Sequence, residues 1–414
     1  MIKKFILSIS LLFSLASLAQ EGTASPYSFY GIGEVRFKGT IENRFMGGLS
    51  ILPDSIHLNI QNPASYSDLK LTTFSVAGSF NASKLRTATV DDKAQRTTLD
   101  YLAVGVPIGK KFGASFGLIP YSSVGYKIKS SKIVDNISQE SSYNGSGGLN
   151  KVYVALAYKV NKNFSVGADL NYNFGTIEAQ SYTSKKNVEL ITSEARNSEM
   201  SGVNFNLGAM YQTKISPKLE AYSSFVFSPS ANLKTTNSLL LSALSASGST
   251  YQANDVIETE TTIKMPTKVS FGVGVGQARK WMFGAEITSQ QSSDFTNRFS
   301  DYTKGTYEDV TKYSFGGYYL PNYSSFTDYY KKVTYRAGLR FENTGLVIFN
   351  ESIKEQAASL GFGFPLGGTF SNLNIGVEYG KRGTRKANLV QENFLNVMIS
   401  LSLNDLWFVK RKYD

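Results

Sequence analysis

The chain has 414 residues, a formal net charge of +11, 18% charged residues, 13% aromatics, 36 Gly and no Cys. The absence of cysteine excludes thiolate catalysis, Cys-based metal sites and a disulfide framework. The basic excess is scattered, without a dense Lys/Arg block interleaved with aromatics; it reads as solvated charge or as a face for lipopolysaccharide phosphates, not as a nucleic-acid surface.

Residues 1–19 read as a signal peptide. Lys3 and Lys4 form a basic n-region, Phe5 to Leu15 is apolar, and Ser17-Leu18-Ala19 supplies the small residues of a cleavage site, so cleavage is expected after Ala19. The apolar run is shorter than the roughly 20 residues that span a bilayer, and no Cys stands at the cleavage site to carry a lipid.

Residues 20–70 precede the regular part of the chain. They contain Gly31-Ile32-Gly33, the stretch Arg44-Phe45-Met46-Gly47-Gly48 and the breaker Asn62-Pro63-Ala64. Pro63 forbids a central strand, and the segment is too apolar for a solvated tail. His57, the single histidine, has no partner His or Cys nearby in the sequence, so no metal site is expected.

From Leu71 to the end the chain repeats one theme, about ten residues in strict alternation and then a turn. Val152, Val154, Leu156, Tyr158 and Val160 share one face of a strand; Phe164, Val166, Ala168, Leu170, Tyr172 and Phe174 share one face of the next, opposite Ser165, Asp169, Asn171 and Asn173. Val203 to Tyr211 and Leu395 to Leu403 repeat the pattern. Short turns are expected at Pro107 to Lys111, Asn161 to Asn163, Ser216 to Lys218, Gln277 to Lys280 and Asn343 to Gly345. Long polar loops are expected at Ser130 to Gly148, Glu178 to Ser201, Ala231 to Glu260 and Ser292 to Lys332. About fourteen strands with short turns on one side and long loops on the other describe an all-β, transmembrane antiparallel barrel over residues 71–414. Closing the sheet satisfies every backbone group inside a bilayer. A barrel of this size has a lumen wider than its wall side chains fill, so residues 20–70 are expected to fold inside as a hatch.

The Asn62-Pro63-Ala64 motif, behind the Arg44 to Gly48 stretch and just ahead of the first strand, resembles the FadL-type family of outer-membrane long-chain fatty-acid and hydrophobic-compound transporters. That resemblance implies a fourteen-stranded barrel closed by an N-terminal hatch, with hydrophobic compounds diffusing through. Ser146-Gly147-Gly148-Leu149-Asn150 and the ending Trp407 to Asp414 look like the Bacteroidetes branch, which also contains a barrel serving as a type IX secretion partner. The charged residues after Phe408 depart from the family's aromatic terminus.

Three features concern a ligand. Pro120 interrupts the alternation of the third strand, and in the resembled family an inward kink there opens the wall sideways. Leu239, Leu240, Leu241 and Leu244 are expected to form a short helix in an outer loop, an apolar groove on the rim. Asp169, Asn171, Glu286, Arg336, Arg340, Glu342 and Glu378 fall on the lumen-facing phase, where Arg–carboxylate pairs would fasten a plug. No Ser-His-Asp arrangement, phosphate loop or EF-hand spacing is present, so neither an enzyme nor a cofactor is expected. Passive transport of hydrophobic small molecules across the outer membrane is the first expectation; a docking barrel beside a large type IX secretion barrel is the alternative.

Overall fold

The computed structural model describes residues 22–295, 298, 305–325, 327–367 and 370–407. The expected signal peptide and the charged tail after Trp407 lie outside the described residues.

Strands are numbered in chain order. A two-residue strand, β1 (Glu34–Val35), belongs to the leading segment. The wall begins with β2 (Thr72–Arg86), β3 (Asp91–Ile108), β4 (Phe112–Pro120), β5 (Ser122–Val134), β6 (Ile137–Lys159), β7 (Phe164–Lys185) and β8 (Ile191–Lys214). It continues through β9 (Glu220–Ser228), β10 (Ala231–Leu244), β11 (Thr250–Ala253), β12 (Ile257–Met265), β13 (Lys268–Gln277) and β14 (Trp281–Gln290). The last part is β15 (Gly305–Tyr307), β16 (Val310–Tyr319), β17 (Thr334–Ile348), β18 (Glu351–Pro365), β19 (Asn372–Arg382) and β20 (Gln391–Asp405).

All pairings are antiparallel, and β20 returns to β2 from Asp405↔Thr72 to Gln391↔Arg86, so the sheet closes. Three wall strands are each split in two, β4 with β5, β9 with β10 and β12 with β13, and β1, β11 and β15 are short accessories; the wall therefore has fourteen strands. Each split falls at a proline, Pro120, Pro229 or Pro266, which cannot donate to the ladder.

Burial is inverted relative to a water-soluble protein. Leu170 and Tyr172 are 59% and 50% exposed, whereas Asn171 and Asn173 between and beyond them are 0%. Exposed Phe, Leu, Val and Tyr recur at every second position on neighbouring strands, as at Val152, Val154, Leu156 and at Val203, Phe205, Leu207. An apolar outside around a polar inside places this barrel in the outer membrane. No described helix is long and apolar enough to cross a membrane, and the crossing is made by strands.

The expected long loops are largely strand. Ser130 to Gly148 is the outer part of β5 and β6, joined by a two-residue turn at Asp135 and Asn136, both with positive φ. Glu178 to Ser201 is mostly β7 and β8, and Ala231 to Glu260 holds β10, β11 and the start of β12. β6, β7 and β8 run 23, 22 and 24 residues, about twice what a bilayer needs. Their outer halves meet water on the outer face, where Thr176, Glu178 and Gln180 are exposed, while Ile177, Ala179 and Met200 on the inner face are buried, so the apolar phase is reversed. Ser292 to Lys332 conceals β16, and Asn343 to Gly345 is not a turn but the irregularity in β17 where its register against β18 shifts. Leu239, Leu240, Leu241 and Leu244 form no helix; they lie in β10, half-buried, paired with Arg196, Ala195, Glu194 and Ile191 of β8.

Candidate functional site

Residues 22–71 occupy the lumen. Ser25 hydrogen-bonds Glu392 and Tyr27 the Val390 carbonyl, beside the turn between β19 and β20 at the outer end. The chain then descends through α1 (Ile41–Phe45), capped by Thr40, to a 3-10 turn at Pro63–Asp68 near the short-turn, periplasmic end.

The wall is hollowed to receive it. A Cβ on Gly361 or Gly376 would overlap the Phe45 ring, one on Gly338 would overlap Gly47, and one on Gly113 the Tyr66 carbonyl. Asn62, Pro63 and Ala64 sit on Gly167 and Gly208, which face each other across β7 and β8. Asn62 is fully buried; its Oδ1 accepts from Ala64 N at 3.1 Å, and its Nδ2 donates to the Ala209 carbonyl at 3.2 Å. The motif therefore both starts the 3-10 turn and docks it on the wall.

Charge completes the fastening. Arg44 Nη2 meets Glu378 Oε1 at 2.7 Å, and Glu286 accepts from Ser50 N and Oγ at 2.8 and 2.7 Å. Glu42 accepts from Asn374 Nδ2 at 2.7 Å, Arg36 pairs with Asp100 at 3.0 Å, and Glu34 bridges Arg382 at 2.7 Å and Arg96 at 3.0 Å. Of the residues expected on the lumen side, Glu286 and Glu378 hold the plug. Arg340 pairs with Glu355 and Arg336 with Asn374, while Asp169 accepts from Asn171 and Asn206. His57 Nδ1 lies 3.1 Å from Asp54 Oδ2. Burial alone would discharge His57, but the Asp54 carboxylate outweighs it and raises its pKa; Asp54, despite burial, is held at about 2 by His57.

Above α1 the plug leaves a chamber of about 340 Å³. One side is apolar, with Ile32, Tyr121, Met265 and Phe295 belonging to the cluster on the inner face of the tall strands. The other is ionic: nine Lys/Arg and five Glu line the chamber. Burial, and then the like charge of Lys312, push the Lys38 ammonium down to about 7, against the pull of Glu342. Glu34, Arg36, Lys38, Arg96, Arg382 and Glu392 were not legible as a group in the sequence. Arg36-Phe37-Lys38 was the available signal, two cations in a segment that had to be buried.

Among the described residues the wall has a break beside Pro120 that begins low on the barrel. β4 pairs β3 from Phe112↔Ile108 to Leu118↔Leu102. Past Pro120, Tyr121 donates to Leu149 O at 2.7 Å, and β5 stays with β6 from Val124↔Gly147 but has no pairing with β3. β3 from Asp91 to Tyr101 is thus paired on one edge only, with β2. At Pro229 both edges stay filled, β9 and β10 keeping β8 on one side and β13 and β12 on the other. At Pro266 β12 keeps only β10 among the described residues, but that break lies beyond the ten pairs of β13 with β14, near the outer end. Plug backbone stands against the free edge of β5: β1 pairs through Glu34↔Ser123 and Val35↔Ser122, Arg36 N donates to Tyr121 O at 3.0 Å, and Gly125 N to Ser28 Oγ at 3.2 Å.

Among the described residues no group of three His, Cys, Asp or Glu is placed to hold a metal ion. The family model described as BamG matches residues 1–414. No curated protein matches the sequence. Solved structures that resemble this one include a FadL homologue of Pseudomonas aeruginosa, at 14% identity over 90% of this chain and 98% of that one, TM-score 0.58. The toluene transporter TodX of Pseudomonas putida aligns at 15% identity over 90% and 98%, TM-score 0.57. At such identities the shared property is the fourteen-stranded barrel fold.

Proposed function

The chain belongs to the BamG family, and for this member we propose passive passage of hydrophobic small molecules, fatty-acid-like in build, across the outer membrane with exit through the wall beside Pro120. The single observation that carries this reading is the missing β3–β5 pairing next to a partly apolar chamber. Seven wall pairs separate the gap from the periplasmic turn; at about 3.4 Å per residue and a tilt near 40°, its floor lies roughly 18 Å up an apolar band of about 25 Å. A solute leaving there enters lipid, not water. The half-buried Leu239, Leu240, Leu241 and Leu244 stand on the outer rim as an apolar approach. In this reading β1 is the gate.

The absence of native cysteine makes a clean test possible. Val35 and Ser122 face each other in the pair between hydrogen-bonded positions, where Cα atoms lie about 4.5 Å apart, within disulfide range. In cells carrying Val35→Cys/Ser122→Cys, oxidation is expected to abolish uptake of a long-chain fatty acid, and dithiothreitol to restore it. Equal uptake in both states would show that β1 need not move and would remove the gate.

A second reading has one observation in its favour. A plug bolted by buried ion pairs suits a docking barrel of a protein-secretion machine, such as the type IX system, as well as a conduit. Purification of the tagged barrel from native membranes with a stoichiometric larger barrel, together with uptake indifferent to the lock, would favour it.

A further inference from the structure

We propose that Lys38, Lys151, Lys268 and Lys312 form an anion site in the lumen that takes a phosphate group. The four come from separate elements, the plug, β6, β13 and β16, and all line the chamber. Lys268 and Lys312 stand on either side of β14 at nearly one level, opposite Gln290 and Thr288, and Lys38 and Lys151 line the same chamber.

The contrast with the arginines of the same chamber is the basis of the assignment. Arg36, Arg44, Arg96, Arg340 and Arg382 each have a carboxylate within ion-pair distance, whereas among the described residues none of the four lysines has one. Lys38 lies 3.8 Å over the Tyr121 ring and Lys151 5.8 Å from that of Tyr153, contacts that leave an ammonium its hydrogen-bonding capacity. Asp169 and Glu342 face the cluster, Glu342 from the position opposite Lys312 on β17, but neither comes within ion-pair distance of a lysine. Lys151 is 7% exposed, and a charge so placed is expensive unless something neutralises it.

Four basic groups facing two carboxylates outside ion-pair distance leave room for a dianion, whose own charge would hold the ammoniums protonated. A phosphate has about that charge at neutral pH and three acceptor oxygens, which suit point-charge ammonium donors. The apolar wall at Ile32, Tyr121 and Met265 continues from the cluster, so the same chamber can hold an alkyl chain attached to the phosphate. That extension to an amphiphile rests on the conduit proposed above; the anion site itself does not.

The test uses the full barrel in dodecyl maltoside and phosphate-free buffer, titrated calorimetrically with dodecyl phosphate and, separately, with inorganic phosphate. Dodecyl phosphate is expected to bind, and Lys151→Gln or Lys268→Gln each to weaken it by about tenfold or more, the loss expected for one charge-assisted hydrogen bond. Equal affinity for inorganic phosphate, with the same loss in the variants, supports the site and identifies a free anion as its source. No binding of either probe, or undiminished binding in the double variant, overturns the proposal. A second readout separates ligand site from fold: with no ligand present, Lys268→Gln should raise the thermal unfolding midpoint by relieving repulsion, and a fall would show that the lysine serves the fold instead. Binding is read without transport, so an intact anion site in a barrel that supports no uptake of a long-chain fatty acid refutes the conduit alone.

Discussion

The plug's hold on the wall can be measured at Phe45 and Gly361. Phe45 is 0% exposed, and its ring occupies the space that Cβ atoms of Gly361 and Gly376 would fill. Phe45→Ala removes a fully buried ring at a cost of about 3–5 kcal/mol. Gly361→Ala alone drives a methyl into that ring and costs about 1–3 kcal/mol by overpacking. In the double variant the overlap with the ring is gone and only that with the residue 45 Cβ, at 2.7 Å, remains, so the combined cost should fall below the sum of the two. The assay is tryptic cleavage after Arg44, reachable only when the plug opens, with barrel integrity followed by heat-modifiable gel migration. Cleavage tracks the open population when opening is fast, so a loss of 3–5 kcal/mol raises its rate by roughly two to four orders of magnitude. Strict additivity would mean that Phe45 does not pack on Gly361, and the seating of the plug in glycine hollows would be wrong.

Two further outcomes concern the same plug. Asn62→Ala loses the cap on Ala64 and the bond to the Ala209 carbonyl, and should ease opening by about 1–2 kcal/mol; Asn62→Asp should do worse, because a carboxylate cannot donate to that carbonyl, and equal cleavage of the two variants would contradict the docking role. The His57–Asp54 pair should make retention pH-dependent: the His57 pKa is raised in the folded state, so its contribution is complete below about 6.5 and fades as pH rises through the raised value, while the Asp54 contribution fades only as pH falls through about 2. Tryptic cleavage, referenced to a free peptide substrate at each pH, should therefore increase only as pH rises above about 6.5 in the parent protein and lose that dependence in Asp54→Asn; an unchanged profile would sever the link.

The barrel was legible where lipid imposes alternation. Leu170 and Tyr172 against Asn171 and Asn173 could be read without coordinates, because only one face of that segment meets hydrocarbon. Above the membrane the outer face meets water instead of hydrocarbon, and the outer halves of β5 through β8, polar outside with only scattered apolar residues such as Ile177 and Met200 inside, read as loops. Leu239 to Leu244 misled differently: a run of leucines matches neither period cleanly, and pairing with β8 decided its conformation. The Asn-Pro-Ala motif could be read as a breaker, but its seat depends on Gly167 and Gly208, more than a hundred residues away in the chain. The lysine cluster was hidden for the same reason. Lys151 has the inward phase of its strand, yet only closure of the sheet and descent of the plug bring Lys38, Lys268 and Lys312 to it.

The plug is held unevenly from bottom to top, and this bears on where any gate can lie. From Ile41 to Leu71 its side chains fill glycine hollows and form the buried core with Tyr101, Ala103 and Tyr153, contacts that cannot be released without opening a cavity. Around β1 the backbone holds β5 through two residue pairs, and the anchors are polar, Glu34 with Arg96 and Arg382 and Arg36 with Asp100. Polar anchors can be exchanged for water or a ligand as they separate, whereas a ring withdrawn from a hollow has no substitute. A movement confined to residues 34–38, leaving Tyr27 and Ile32 in their buried clusters, would open the wall at the β3–β5 gap and leave the floor formed by Asn62, Pro63 and Ala64 in place. Opening sideways without opening a pore to the periplasm is what a conduit for lipid-soluble molecules requires, and it is why the crosslink at Val35 and Ser122 interrogates function while Phe45→Ala interrogates only the seal.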